Sequence, residues 1–235
     1  MAERYPARTA RTIAILPIKS FGAAKQRLAD MLGTGSRHAL AQAMFSDVLS
    51  TLRRVPDLDE IAVVTGDMAA ESAASGERVT VLHDSAQSGQ SYAALIGIRH
   101  ALELGCDRAV LVPGDTPLLQ PGDVARLIAA PTGVVIIPDR HGTGTNALVL
   151  SPPDAIEPSF GADSCARHVA AAEAAGVRHR VEEMPGLALD VDTRDDLAEL
   201  AAALDARRGH APSTRGALNQ LERAGAWTAG VRAPA

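Results

Sequence analysis

TIAILPIKSFGAAKQRL, residues 12–28, begins as an unbroken apolar run rich in isoleucine and changes character at Lys19. A short run without polar alternation is what a strand buried on both faces looks like. Similar runs recur along the chain: EIAVVT (60–65), RVTVL (78–82), RAVLVPG (108–114), GVVIIPD (133–139) and NALVLS (146–151). Alanine-rich segments of helical spacing lie between them. The clearest carries Leu40, Met44, Val48 and Leu52, widened by Phe45 and Leu49, with Ser36 as its N-cap. Others span 91–104, 121–130, 164–175 and 193–206. Strand, helix, strand in this order predicts an α/β fold, an open and mostly parallel sheet with helices on both faces. Ligands of such sheets sit beyond the carboxyl ends of the strands, so the loops that follow strands are where function is sought.

At 235 residues, 46% of them hydrophobic, the chain can bury a sizeable core. We divide it into an extension (1–10), one domain (11–206) and a loosely ordered tail or weakly docked helix (207–235), where Gly, Ala, Pro and Arg displace the periodic pattern. The net charge of −5 hides an asymmetry. Residues 1–40 hold seven basic and two acidic side chains, and the remainder sixteen against twenty-six. One cationic segment on an acidic protein suits a small anionic ligand and excludes the broad basic face of a nucleic-acid binder. Aromatic residues make up only 3%, too few for base-stacking platforms. Cys106 and Cys165 stand apart with no zinc-ligand spacing, and no run approaches a membrane span, so a cytoplasmic protein without a membrane partner is expected.

Lys19 and Lys25 are the only lysines, against twenty-one arginines. They fall in the loop after the first strand, a natural anion cradle. Their closeness is either chance or a requirement for compact point charges around phosphate, where the flat fork of arginine fits poorly. The loop lacks both Gly-x-x-x-x-Gly-Lys-Ser/Thr and Gly-x-Gly-x-x-Gly. GTGTNA (142–147) precedes a strand, so it reads as a hairpin turn or as a loop whose amides and Thr143 or Thr145 hydroxyls receive an acidic substrate. Asp115 follows a strand, and Asp190 and Asp192 share one side of an extended segment, where such carboxylates hold Mg²⁺. The plainer alternatives are a turn residue for Asp115 and a helix N-cap for Asp192. Ser164 either caps a helix or lines an anion site, and His168 shows no partner. The Asp-x-Asp-x-Thr pattern at 190–193 also fits a phosphatase, although that motif belongs after a first strand.

LPIKSFGAAKQRL, LVPGDTPLL, DRHGTGTNALVL, FGADSCARH and PGLALDVDT, taken in order, closely resemble the guanylyltransferase family of coenzyme F-420 biosynthesis, often called CofC or FbiD. The likeness extends over roughly residues 12–204. It implies a nucleotide-diphospho-sugar transferase fold of the kind found in molybdenum-cofactor guanylyltransferases. It also implies transfer of GMP from GTP to phosphoenolpyruvate, with 2-phospho-L-lactate or 3-phosphoglycerate as alternative acceptors. By motif, Asp115, Asp190 and Asp192 become the metal carboxylates, with Asp115 catalytic, Lys19, Lys25 and Arg27 line the triphosphate, and Thr145, Gly161 and Ser164 hold the acceptor. Gly89-Gln90-Ser91 departs from the Gly-Leu-Asn of many relatives, on the side expected to meet the base. A homodimer is compatible with all of this. A GTP-sensing module without catalysis is the non-enzymatic alternative.

Overall fold

Alternation along β1 (Thr12–Ile18) divides the core in two: Ala14, Leu16 and Ile18 face one helical layer and Ile13 and Ile15 the other. The computed structural model describes residues 10–76, 78–129 and 133–227. In chain order the elements are β1, α1 (Thr34–Arg53), β2 (Glu60–Thr65), α2 (Met68–Ala73), β3 (Val79–His83), α3 (Gln90–Glu103), β4 (Arg108–Leu111) and α4 (Pro121–Ile128). They continue with β5 (Gly133–Pro138), β6 (Thr145–Ser151), α5 (Ser164–Ala174), β7 (His179–Val181), α6 (Pro185–Ala188), α7 (Arg194–Ala206) and α8 (Pro212–Arg223). Two short 3₁₀ turns, Phe21–Ala23 and Gln26–Leu28, interrupt the loop after β1.

The sheet has seven strands in the order β3-β2-β1-β4-β6-β5-β7. Only β6 runs against its neighbours β4 and β5; the other pairs are parallel. α1, α2 and α4 cover one face, α3 and α5 the other. Every apolar run singled out in the sequence becomes a strand, whereas β7, only HRV, has no apolar run to announce it. The first helix starts at Thr34 behind Gly33, so Ser36 lies inside its first turn and not at its N-cap. Residue 130, the expected end of α4, lies outside the described residues.

Where the sequence suggests a loose tail or a weakly docked helix, residues 212–223 form a docked helix. Leu218, Leu221 and Trp227, each about one-twentieth exposed, join Leu40 and Met44 of α1 and Leu200 and Leu204 of α7 in a third apolar cluster. Asp47 of α1 caps α8, accepting from Ser213 N at 3.1 Å and Thr214 N at 2.7 Å. Two leucines three positions apart are a weak periodic signal, but burial of each contributes about 1.5–3 kcal/mol. The terminal residues 1–9 and 228–235 lie outside the described residues.

Candidate active site

The loop after β1 is fixed from both sides before it presents its lysines. Phe21 packs against Phe45 and His38 at ring-centroid distances of 5.7 and 5.6 Å. Its N–H donates to Asp67 Oδ2 at 3.0 Å, while Asp67 Oδ1 caps α2. The chain then turns through a left-handed Lys25 (φ 57°), a conformation unfavourable for a side-chain-bearing residue. That turn sends the ammonium inward. Lys25 Nζ lies 2.5 Å from Asp115 Oδ2 and 3.0 Å from Asp192 Oδ1, with its side chain only 4% exposed.

Burial alone would pull the Lys25 pKa down, but the charges and hydrogen bonds of Asp115 and Asp192 outweigh it and hold it above its ordinary value. Asp190 shifts upward as well, first because it is buried and then because Asp115 and Asp192 are negative. Asp190 is reached by Asn146, whose Nδ2 donates to Leu187 O (2.7 Å) and Ala188 O (3.2 Å) and lies 3.5 Å from Asp190 Oδ1. Asp192 is held through its backbone: Asp196 Oδ2 accepts from Asp192 N at 3.0 Å and Thr193 N at 2.7 Å. Thr193, not Asp192, is the N-cap of α7. Asp196 Oδ1 is ion-paired with Arg140 at 2.5 Å, which ties this segment to the turn between β5 and β6. Among the described residues no three His, Cys, Asp or Glu side chains converge as a ready-made metal cluster. The Lys25 ammonium stands between two of the three aspartates instead.

The first three residues of GTGTNA, Gly142–Gly144, lie in the β5–β6 hairpin turn, and the last three begin β6. Thr145 opens β6 and its Oγ1 lies 3.0 Å from Nδ1 of His168 on α5. His168 is fully buried, and its Nε2 accepts from the Ser159 N–H at 2.8 Å. A backbone N–H can only donate, so the ring proton sits on Nδ1 and is given to Thr145. Burial, reinforced by the charge of Arg167, pulls the His168 pKa from 6.5 to about 4 and keeps the ring neutral. Arg167 braces the neighbouring loop through Ser159 Oγ (2.8 Å), Ser159 O (2.8 Å) and Ala162 O. Gly161 lies in that loop at φ 111°, a backbone angle for which glycine is suited. Ser164 is 1% exposed, and its hydroxyl has no partner among the described residues; the N-cap position of α5 is occupied by Asp163.

A cleft opens beyond the carboxyl ends of β1, β2 and β3, lined by Lys19, Gly66, Asp84, Gln87, Gly89 and Gln90. The Gly66 backbone is pressed against its wall: a Cβ there would meet Asp84 O at 2.5 Å. Gln90 lines this cleft, but Ser91 is committed elsewhere, accepting from the Phe160 N–H at 2.9 Å.

The geometry therefore brings Lys25, Asp115, Asp190 and Asp192 together, sets Thr145 next in the chain to Asn146 beside them, and places exposed Lys19 in the adjoining cleft. Arg27 is exposed in the second 3₁₀ turn. Sequence reasoning passed over Asn146, Asp196, Arg140 and Asp67. A polar residue inside the otherwise apolar run TNALVLS is the signal that could have found Asn146. The 190–193 segment lies outside the sheet between α6 and α7, which removes the phosphatase reading.

Comparison with known proteins places this architecture. A computed match to the family described as guanylyl transferase CofC like covers residues 12–210. The phosphoenolpyruvate guanylyltransferase of Conexibacter woesei is 50% identical over 90% of this chain and 97% of its own. That of Sphaerobacter thermophilus is 38% identical over 86% and 94%. Among solved structures, a nucleotidyl transferase from Methanothermobacter thermautotroptrophicus superposes with a TM-score of 0.63 at 20% identity, covering 82% of this chain and 97% of that one. A Desulfovibrio desulfuricans G20 chain assigned as a nucleotide-diphospho-sugar transferase reaches 0.72 at 18% identity, over 91% and 96%. The fold is that of the nucleotidyltransferases, and the chain belongs to the CofC-like guanylyl transferase family.

Proposed function

We propose that this protein transfers the guanylyl group of GTP to phosphoenolpyruvate with release of pyrophosphate, as a step in building the deazaflavin coenzyme F-420. What carries this reading is the meeting of a buried lysine with carboxylates from two distant segments. Two polyanions must be brought together there, and no nucleophile needs activating. The second pKa of a phosphate monoester is about 6, so the acceptor oxygen is already ionised at neutral pH. It attacks the α-phosphorus in line, the bond to the bridging oxygen of the β-phosphate breaks, and pyrophosphate leaves with the electron pair.

Lys25, kept charged by its aspartates, faces the phosphates together with Lys19 and Arg27. Thr145 already accepts from His168, so its own proton is available to an anionic acceptor. The Ser164 hydroxyl, without a partner among the described residues, and the Gly161 backbone complete the acceptor site. The carboxylates suit Mg²⁺: their oxygens are the hard ligands it prefers, and the burial and then the mutual repulsion that raise the Asp190 pKa are what a divalent cation offsets. Asp115, Asp190 and Asp192 would hold it, and when bound it supplies positive charge at the α-phosphate. We assign the reaction to the cytoplasm, in keeping with the buried unpaired thiols of Cys106 and Cys165.

The test is mass spectrometry of products from GTP, Mg²⁺ and an equal mixture of phosphoenolpyruvate, 2-phospho-L-lactate and 3-phosphoglycerate. The guanylylated phosphoenolpyruvate and pyrophosphate should dominate, and Asp115→Asn should lose both with an unchanged circular dichroism spectrum. A product built on another acid would replace the acceptor. GTP binding without pyrophosphate release would leave only the sensing module.

A further inference from the structure

We propose that Asp84 reads the guanine base, accepting hydrogen bonds from its N1–H and its N2 amino group, and so sets the preference for GTP; this rests on the guanylyltransferase reading. Asp84 follows β3 directly and is 6% exposed. Oδ1 accepts from the Gln87 N–H at 3.0 Å. Among the described residues, no cation pairs with this carboxylate and no donor reaches Oδ2. A buried carboxylate is rarely left without a counter-charge or a set of donors, because removing it from water is costly. Asp84 also lines the cleft that holds Lys19, and it is the sole acid among the lining residues.

The remaining walls suit a planar ring. Pro17, Ile18 and Ala93 supply apolar surface, and Gly66 and Gly89 present backbone without side chains. The Gly66 position could not carry a Cβ without displacing the Asp84 backbone or the Gln87 side chain. With Lys19 at the same cleft, the phosphates have a direction in which to run and the base is left facing Asp84.

Base chemistry then discriminates. Guanine presents two adjacent donors on its Watson–Crick edge, N1–H and the N2 amino group, which match the two lone-pair directions of a carboxylate. Adenine and cytosine each present a ring nitrogen lone pair there, and uracil flanks its single N–H with two carbonyls. A carboxylate therefore accepts guanine and repels the others. This also gives a physical place to the Gly89-Gln90-Ser91 departure: only Gln90 of its side chains lines the cleft, so base selection does not depend on Ser91.

The test compares GTP, inosine triphosphate and xanthosine triphosphate, by dissociation constant and by pyrophosphate release, in the parent and in Asp84→Asn. Inosine lacks the N2 amino group, and xanthine carries a carbonyl in its place. The parent should favour GTP over the inosine nucleotide by on the order of 10-fold or more and should bind the xanthosine nucleotide poorly. Asp84→Asn should weaken GTP on the order of 100-fold and reverse the preference towards xanthosine triphosphate, because an amide offers one acceptor and one donor. Equal losses for all three nucleotides in the variant would reduce Asp84 to a structural role and overturn the proposal. So would a parent indifferent to GTP and inosine triphosphate, a result that stands even if the variant does not fold. Because the dissociation constants need no acceptor, they decide this question whether or not phosphoenolpyruvate is the second substrate.

Discussion

His168→Asn should flatten the acid limb of the stability curve. In the folded protein His168 is fully buried, and burial together with Arg167 holds its pKa at about 4 against 6.5 for an exposed imidazole. Unfolded chains take up a proton at this ring as pH falls through 6.5, whereas the native state does not until about 4. Between those values the unfolded state binds the extra proton, so stability falls with falling pH. At 1.36 kcal/mol per pH unit the interval is worth roughly 3 kcal/mol. Above it the ring is neutral in both states and contributes no slope. Below it both are protonated and the loss levels off. Asparagine keeps a donor near the Nδ1 position but does not titrate. It also leaves the Ser159 N–H without its acceptor, a cost of about 1–3 kcal/mol that does not depend on pH. Denaturant titrations at several pH values should therefore show a variant weaker at neutrality but losing about 3 kcal/mol less than the parent on the way down. The raised pKa of Asp190 acts in the opposite direction, but equally in both proteins, and cancels in the difference. Parallel curves for parent and variant would refute the buried neutral histidine and, with it, the assignment of the Thr145 proton.

Lys25→Arg retains the charge but forces a wider fork into a space where Nζ sits 2.5 Å and 3.0 Å from two carboxylates. A displacement of about 1 Å should cost on the order of 100-fold in pyrophosphate release, with GTP still bound; parental turnover would show that any cation suffices. Leu221→Ala removes a buried contact between α8 and the α1–α7 pair and should destabilise by about 2–5 kcal/mol, read from the denaturant midpoint, and a loss below about 0.5 kcal/mol would mean that α8 contributes little to the fold.

The strands and the main helices were legible because a buried parallel sheet requires apolar runs, and a helix covering it requires an apolar stripe. Leu40, Met44, Phe45, Val48, Leu49 and Leu52 are all buried as their spacing implies. β7 and α8 were not legible in that way. The first is three residues at an edge, and the second owes its place to a cap from Asp47, remote in sequence. At the candidate site, Lys25 could be picked out as one of only two lysines, both in the loop after the first strand, Asp115 as a carboxylate just past an apolar run, and Asp192 as part of a repeated Asp-x-Asp. Asp196, Arg140 and His168 could not. Arg140 and His168 act through contacts with residues elsewhere in the chain, which leave no local pattern, and Asp196, although it shares a capping box with Thr193, is tied to Arg140 by an ion pair that no local pattern marks.

The Lys25–Asp192 contact joins positions 167 residues apart. A nascent chain emerging from the ribosome can complete β1 to β4 and display its lysine loop long before the second aspartate exists. Through that interval Lys25 lacks one of its two counter-charges, and the carboxylates of the two segments have not yet met. The Lys25–Asp115–Asp192 cluster is thus completed late in translation, which leaves amino-terminal fragments of this chain without it.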